Sequence, residues 1–127
     1  MIPSPYQKYQ QTQAQTASKP KLLIMLYDGA IRFVKAGIEG IEEHNVEKAN
    51  NNLCKAQAIV HELISSLNFD FAIANELLRI YEYMLHCLIE SNVKKDSEPA
   101  KDVLIHLNDL RETWVTASRL PDVATSV

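Results

Sequence analysis

The five prolines of this chain stand at positions 3, 5, 20, 99 and 121, so the long stretches between them lack the residue that most reliably breaks a helix. Only three glycines occur in the whole sequence. Within the proline-free stretches, apolar residues return every three or four positions, which is the period of a helix with one buried face. An all-α protein follows. The length of 127 residues and a hydrophobic content of 46% suit a single domain with one continuous core.

The stretches divide the chain. Residues 1–17 are rich in Gln, Ser, Thr and Tyr, carry too little apolar surface to fold alone, and read as an N-terminal arm. Ser18-Lys19-Pro20 then supplies an N-cap and a proline in the first turn, where the missing N–H costs nothing. The first helix runs to about Glu43, with Leu23, Leu26, Tyr27, Ala30, Val34, Ile38 and Ile41 as its stripe. A second spans about Val46 to Leu67 over Ala49, Leu53, Ala56, Val60, Ile64 and Leu67. Asn68-Phe69-Asp70 reads as a tight connection that also caps a third helix, from about Phe71 to Val93. Its stripe is Ile73, Leu77, Ile80, Tyr81, Met84 and Leu88, widened by Leu78, Leu85 and Ile89. Lys94 and Lys95 favour the end of that helix, and Ser97-Glu98-Pro99 repeats the start chemistry of Ser18 for a fourth. The fourth helix buries Ala100, Val103, Leu104, Leu107, Leu110, Trp114 and Ala117 and ends near Ser118. Residues 18–118 thus read as one bundle and 119–127 as a flexible tail. Connections of two to five residues cannot cross a helix length of about 30 Å, so the expected architecture is an antiparallel, up-down-up-down four-helix bundle.

Charge and motifs narrow the function. Thirteen Lys and Arg against sixteen Asp and Glu give a net charge of −3, which argues against a nucleic-acid partner. The first residues have no apolar signal core and no run approaches the roughly 20 apolar residues of a membrane span, so a cytoplasmic protein is expected. Cys54 and Cys87 lack paired spacing and read as core or boundary thiols. His44, His61, His86 and His106 fall into no ligand motif, and neither a phosphate loop nor a nucleophile motif is present. The reading is a binding protein without cofactor or metal. The alternatives are an all-helical enzyme or metal protein built on His61, His86 or His106, and a helical adaptor that associates with itself.

One feature points to binding. Leu22-Leu23-Ile24-Met25-Leu26-Tyr27 is six apolar residues in succession, which at about 100° per residue covers the whole circumference of the helix. A bundle buries only one stripe of such a helix. Leu22, Met25, Gly29 and Phe33 flank that stripe on one side, and Ile24, Ile31 and Ile38 on the other, so something should cover at least one flank. Either a broad core absorbs both flanks, or an apolar groove remains, with Met25 as an adaptable side chain and Gly29 permitting close approach of a helix. Tyr6 and Tyr9 of the arm are natural occupants when no client is present.

The residues that carry this pattern also resemble a family. Pro5-Tyr6-Gln7-Lys8-Tyr9, the run from Thr16 through Leu22-Leu23-Ile24-Met25-Leu26-Tyr27-Asp28-Gly29-Ala30-Ile31-Arg32-Phe33, Tyr81-Glu82-Tyr83-Met84-Leu85, Glu90-Ser91-Asn92-Val93-Lys94-Lys95-Asp96 and Leu110-Arg111-Glu112-Thr113-Trp114 together resemble the FliS family of flagellar export chaperones. The likeness departs at Phe71-Ala72-Ile73-Ala74, where the family commonly has two glycines and an acid, and apolar surface is added there. The resemblance implies a cytoplasmic protein that holds the disordered C-terminal segment of flagellin, prevents premature polymerisation and presents the client to the flagellar type III export apparatus. It also implies that Tyr9 docks on the cytoplasmic domain of the export gate. A monomer or weak homodimer is expected.

Overall fold

The helix boundaries are set by chemistry at the turns. The computed structural model describes residues 19–119, with helices α1 (Lys19–Glu42), α2 (Val46–Ser65), α3 (Ile73–Lys94) and α4 (Ser97–Ala117). The arm, the inferred cap Ser18 and residues 120–127 lie outside the described residues.

α1 ends at His44 in the left-handed region (φ 57°), where the Asn45 N–H donates to the Gly40 carbonyl at 2.8 Å and the His44 N–H to that of Ile41 at 3.1 Å. These two bonds satisfy carbonyls that the helix end leaves without partners. The Asn45 side chain then accepts the Lys48 N–H at 3.0 Å and so caps α2. The same solution closes α3: Lys95 is left-handed (φ 53°), the Asp96 N–H reaches the Ser91 carbonyl at 3.2 Å, and the Asp96 carboxylate accepts the Glu98 N–H at 3.0 Å. Asp96, not Ser97, therefore caps α4. The left-handed Lys95 leaves Asp96 extended and Ser97 already helical. Pro99 still sits in the first turn, as its chemistry requires.

The start of α3 differs from the sequence expectation. Asn68 accepts the Asp70 N–H through its own side chain at 3.0 Å, and bonds from Phe71 to Asn68 and from Ala74 to Phe71 wind the chain into the helix. The helix begins two residues later than expected, and no side chain caps it. Phe71 is left 39% exposed and Ile73 48% exposed.

Each helix packs on its neighbours in the chain, and α4 returns to lie against α1, which closes a four-membered ring around one core. Tyr27, Val34, Leu53, Val60, Leu63, Met84, Leu88, Val103 and Leu107 are fully enclosed in it. Each such side chain contributes about 1.5–3 kcal/mol by leaving water. The α3 stripe is shifted from expectation. Ile73 stands exposed in the first turn, and Ile89, five residues past Met84 and so about 140° round the helix from it, is 49% exposed. Ala74 and Cys87 are buried, as is Leu63 of α2, whereas Cys54 faces solvent. Ser91, the one buried polar residue among the described residues, accepts the Ala100 N–H at 2.8 Å and so satisfies a donor of the first turn of α4 from inside the core.

Two features fix how the helices meet. All three glycines lie on the α2-facing side of α1: an added Cβ would stand 2.6 Å from Leu53 Cδ2 at Gly37 and 2.6 Å from the Ala49 backbone nitrogen at Gly40. At Gly40 the two backbones themselves are in contact. Farther in, the Tyr27 hydroxyl accepts the Trp114 indole N–H at 3.0 Å and shares a hydrogen bond with the Tyr81 hydroxyl, which joins α1, α3 and α4. Burial pushes both phenols above their ordinary pKa; for Tyr27 the bonds from Tyr81 and Trp114 oppose that rise without cancelling it.

Two outcomes follow. Gly40→Ala gains roughly 1 kcal/mol of helix propensity. It meets backbone that cannot give, and overpacking of that kind costs about 1–3 kcal/mol. Urea unfolding should therefore show a net loss. Gly29→Ala meets only the end of the Ile59 side chain, at 3.1 Å, and should be near neutral. In the second outcome, raised phenol pKa values mean that protonation favours the fold. That contribution is complete below the unfolded phenol value of about 10 and is lost as pH rises beyond it. Of the five tyrosines, Tyr27 and Tyr81 should ionise only together with loss of helical circular dichroism; phenolate absorbance that develops fully over an intact helical signal would contradict this.

Candidate functional site

The apolar run at the start of α1 divides once the bundle forms. Leu23 and Tyr27 enter the core, and Ile24 and Leu26 pack against it in part. Ile31 and Ile38 are also buried, so the flank formed by Ile24, Ile31 and Ile38 is absorbed by the chain's own helices. The other flank is not. Leu22, Met25 and Phe33 remain half-buried, and of these only Phe33 is among the side chains packed on the core.

This flank runs along the edge between α1 and α2. The antiparallel pairing sets Gly40 against Ala49, Gly37 against Leu53 and Gly29 against Ile59, and carries Phe33 to the level of Lys55. Gly29 is buried, and the group that approaches it is Ile59 of the same chain. It thus serves helix packing within the bundle and lines the edge only from beneath. The Phe33 ring has the Arg32 guanidinium carbon 5.4 Å and the Lys55 ammonium 5.5 Å from its centroid. Such contacts contribute about 0.5–1 kcal/mol each at exposed sites. Tyr6 and Tyr9 lie outside the described residues.

The histidines take up a different chemistry. His86 Nε2 stands 3.8 Å from a Glu90 oxygen and His106 Nε2 3.7 Å from an Asp102 oxygen, in both cases one helical turn along the same helix. His106 also meets the Tyr83 ring edge-on at 5.7 Å, while the Tyr83 hydroxyl donates to Asp102. That carboxylate, followed by Cys87, pushes the Tyr83 phenol up, and burial pushes up the Cys87 thiol. A raised thiol pKa makes for a poor nucleophile. Among the described residues no three His, Cys, Asp or Glu side chains gather as a metal site would require, and no helix is long and apolar enough to cross a membrane.

Sequence reasoning singled out Leu22 and Met25 from the run of six apolar residues and Phe33 from the same side of the helix, and all three stand half-buried. It missed Arg32, Lys55 and Ile59 because their meeting depends on the register of α1 against α2. The three glycines, spaced 29, 37 and 40 along one side of α1, were the available signal for that register.

Comparison with known proteins places the chain among relatives. The family model described as "Flagellar protein FliS" matches residues 2–121. The chain is 34% identical over 116 residues to the flagellar secretion chaperone FliS of Bacillus subtilis (strain 168), an alignment that covers 91% of this chain and 87% of that protein. Proteins of the same description from Campylobacter jejuni and Vibrio cholerae are each 28% identical, over 86% and 81% of this chain and 87% and 77% of their own lengths.

The division of the apolar run has a measurable consequence. Leu23→Asp places a carboxylate in the core and should cost about 4 kcal/mol or more. Met25→Asp, on the half-buried flank, should cost no more than about 1 kcal/mol by the same urea measurement. Equal losses would make both positions core.

Proposed function

This chain belongs to the FliS family of flagellar proteins, and on that premise we propose that it is an export chaperone whose client is the C-terminal segment of flagellin. It acts by binding and not by catalysis, in the cytoplasm. It keeps flagellin from polymerising and delivers it to the flagellar type III export apparatus. The observation that carries this reading is the flank of Leu22, Met25 and Phe33, left half-open along the α1–α2 edge while Ile31 and Ile38 of the opposite flank are buried and Ile24 packs on the core.

The physics is that of a helix laid into an apolar furrow. Flagellin ends assemble through apolar helical faces, so a chaperone that occupies those faces removes the surface on which polymerisation depends. A segment that folds as it binds loses about 2–5 kcal/mol of the gross interaction to its own ordering. The complex is thereby specific and still reversible, as handover demands. On this reading Tyr6 and Tyr9 cover the furrow between clients, and Tyr9 docks on the cytoplasmic domain of the export gate. Residues 18–118 are the folded unit that carries the furrow. The chain works as a monomer or weak homodimer.

Calorimetric titration of the purified chain with a peptide of the flagellin C-terminal segment tests the proposal. Association in the micromolar range or tighter is expected, with Met25→Asp or Leu22→Asp weakening it by about tenfold or more, a larger loss than either causes in fold stability. No association at about 50 µM would overturn it.

A further inference from the structure

A furrow that accepts amphipathic helices needs some means of choosing among them, and the surroundings of Phe33 supply one. Arg32 from α1 and Lys55 from α2 converge on the same half-buried ring, 5.4 and 5.5 Å from its centroid. Among the described residues neither cation has a carboxylate within salt-bridge reach, whereas Lys48, Lys94, Lys101 and Arg111 all do. The ring attracts both cations, and they repel each other. An anion beside the ring is attracted by both. One turn from Lys55 along α2 stands Ile59, half-buried, its Cδ1 over Gly29. Lys55 and Ile59 stand four residues apart on α2, so a positive position and an apolar position follow one another along this edge, about one helical turn apart.

We propose that Arg32 and Lys55 select, within the bound client helix, an Asp or Glu that stands three or four residues from an aliphatic side chain. The carboxylate sits at the Phe33 edge, where both cations attract it, and the aliphatic group lies against Ile59. This rests on the reading of the α1–α2 edge as the client surface. The chain's net charge of −3 gives an acidic segment no general attraction, so the preference is local to this ring.

The test uses the full chain and a synthetic peptide of the flagellin C-terminal segment, titrated at low and high salt. Arg32→Glu combined with Lys55→Glu should weaken binding roughly tenfold at low salt, since two attractions are lost and reversal adds repulsion. The loss should shrink at high salt. Both side chains are exposed, so the fold should survive; Arg32→Gln with Lys55→Gln serves if it does not. The decisive arm exchanges the charges: a peptide with the selected acid changed to Lys should bind the doubly reversed chain more tightly than it binds the unaltered one. Absence of that rescue, or binding indifferent to both cations while Met25→Asp still abolishes it, overturns the selection rule and leaves the client surface standing. Binding indifferent to Met25→Asp as well removes both.

Discussion

The contact on which the rest of the molecule depends is the close approach of α1 to α2 along Gly29, Gly37 and Gly40. Each glycine inside a helix costs up to about 1 kcal/mol relative to alanine, and α1 carries all three. In exchange the two helices pack closely enough for backbone to touch backbone at Gly40 and Ala49. Such a contact permits little sliding, because a shift along the helix drives the neighbouring side chains into the space the glycines leave. The register that results sets Phe33 beside Lys55 and Ile59 beside Gly29. The chemical character of the exposed edge is thus a product of helix packing one to two turns away.

The two turns that join α1 to α2 and α3 to α4 reinforce this geometry with one shared solution. A left-handed residue, His44 or Lys95, closes one helix, and the Asn or Asp after it caps the next. Both turns border a shallow depression lined by Gly40, His44, Asn45, Lys95 and Asp96, which places them at the same end of the bundle. Strand-like freedom is absent from either connection, so each pair of helices is fixed in direction as soon as its turn forms. Exposed ion pairs such as Asp28–Arg111 between α1 and α4 add little to that, since exposed pairs contribute at most about 1 kcal/mol.

Much of this was legible in the sequence because it is local. The four helices and most of their stripes follow from spacing alone, and the turns from the placement of Asn, Asp and Pro. The errors are also physical. Asp96 caps α4 in place of Ser97 because the left-handed Lys95 shifts the start by one residue, and α3 begins late because Asn68 bonds Asp70 instead of letting it cap. Periodicity placed Ile73 and Ile89 in the core without regard to where the helix ends or how wide its neighbours leave the groove. Long-range chemistry left no local trace: Tyr27 meets Tyr81 across 54 residues and Trp114 across 87. For the site, the apolar run announced an excess of surface on α1, and only packing decided which of its two sides remained open.

The hydroxyl of Tyr27 bears on how an occupant of the proposed client edge would leave. Through it α1 is tethered to both α3 and α4 in the interior, while the glycines clasp the same helix to α2 on its other side. A helix held from three directions is a stiff wall. On the proposed reading of the α1–α2 edge, such a wall does not roll inward to squeeze cargo out, and departure is imposed from outside, by traction on the cargo's free end or by a competitor sliding into its place.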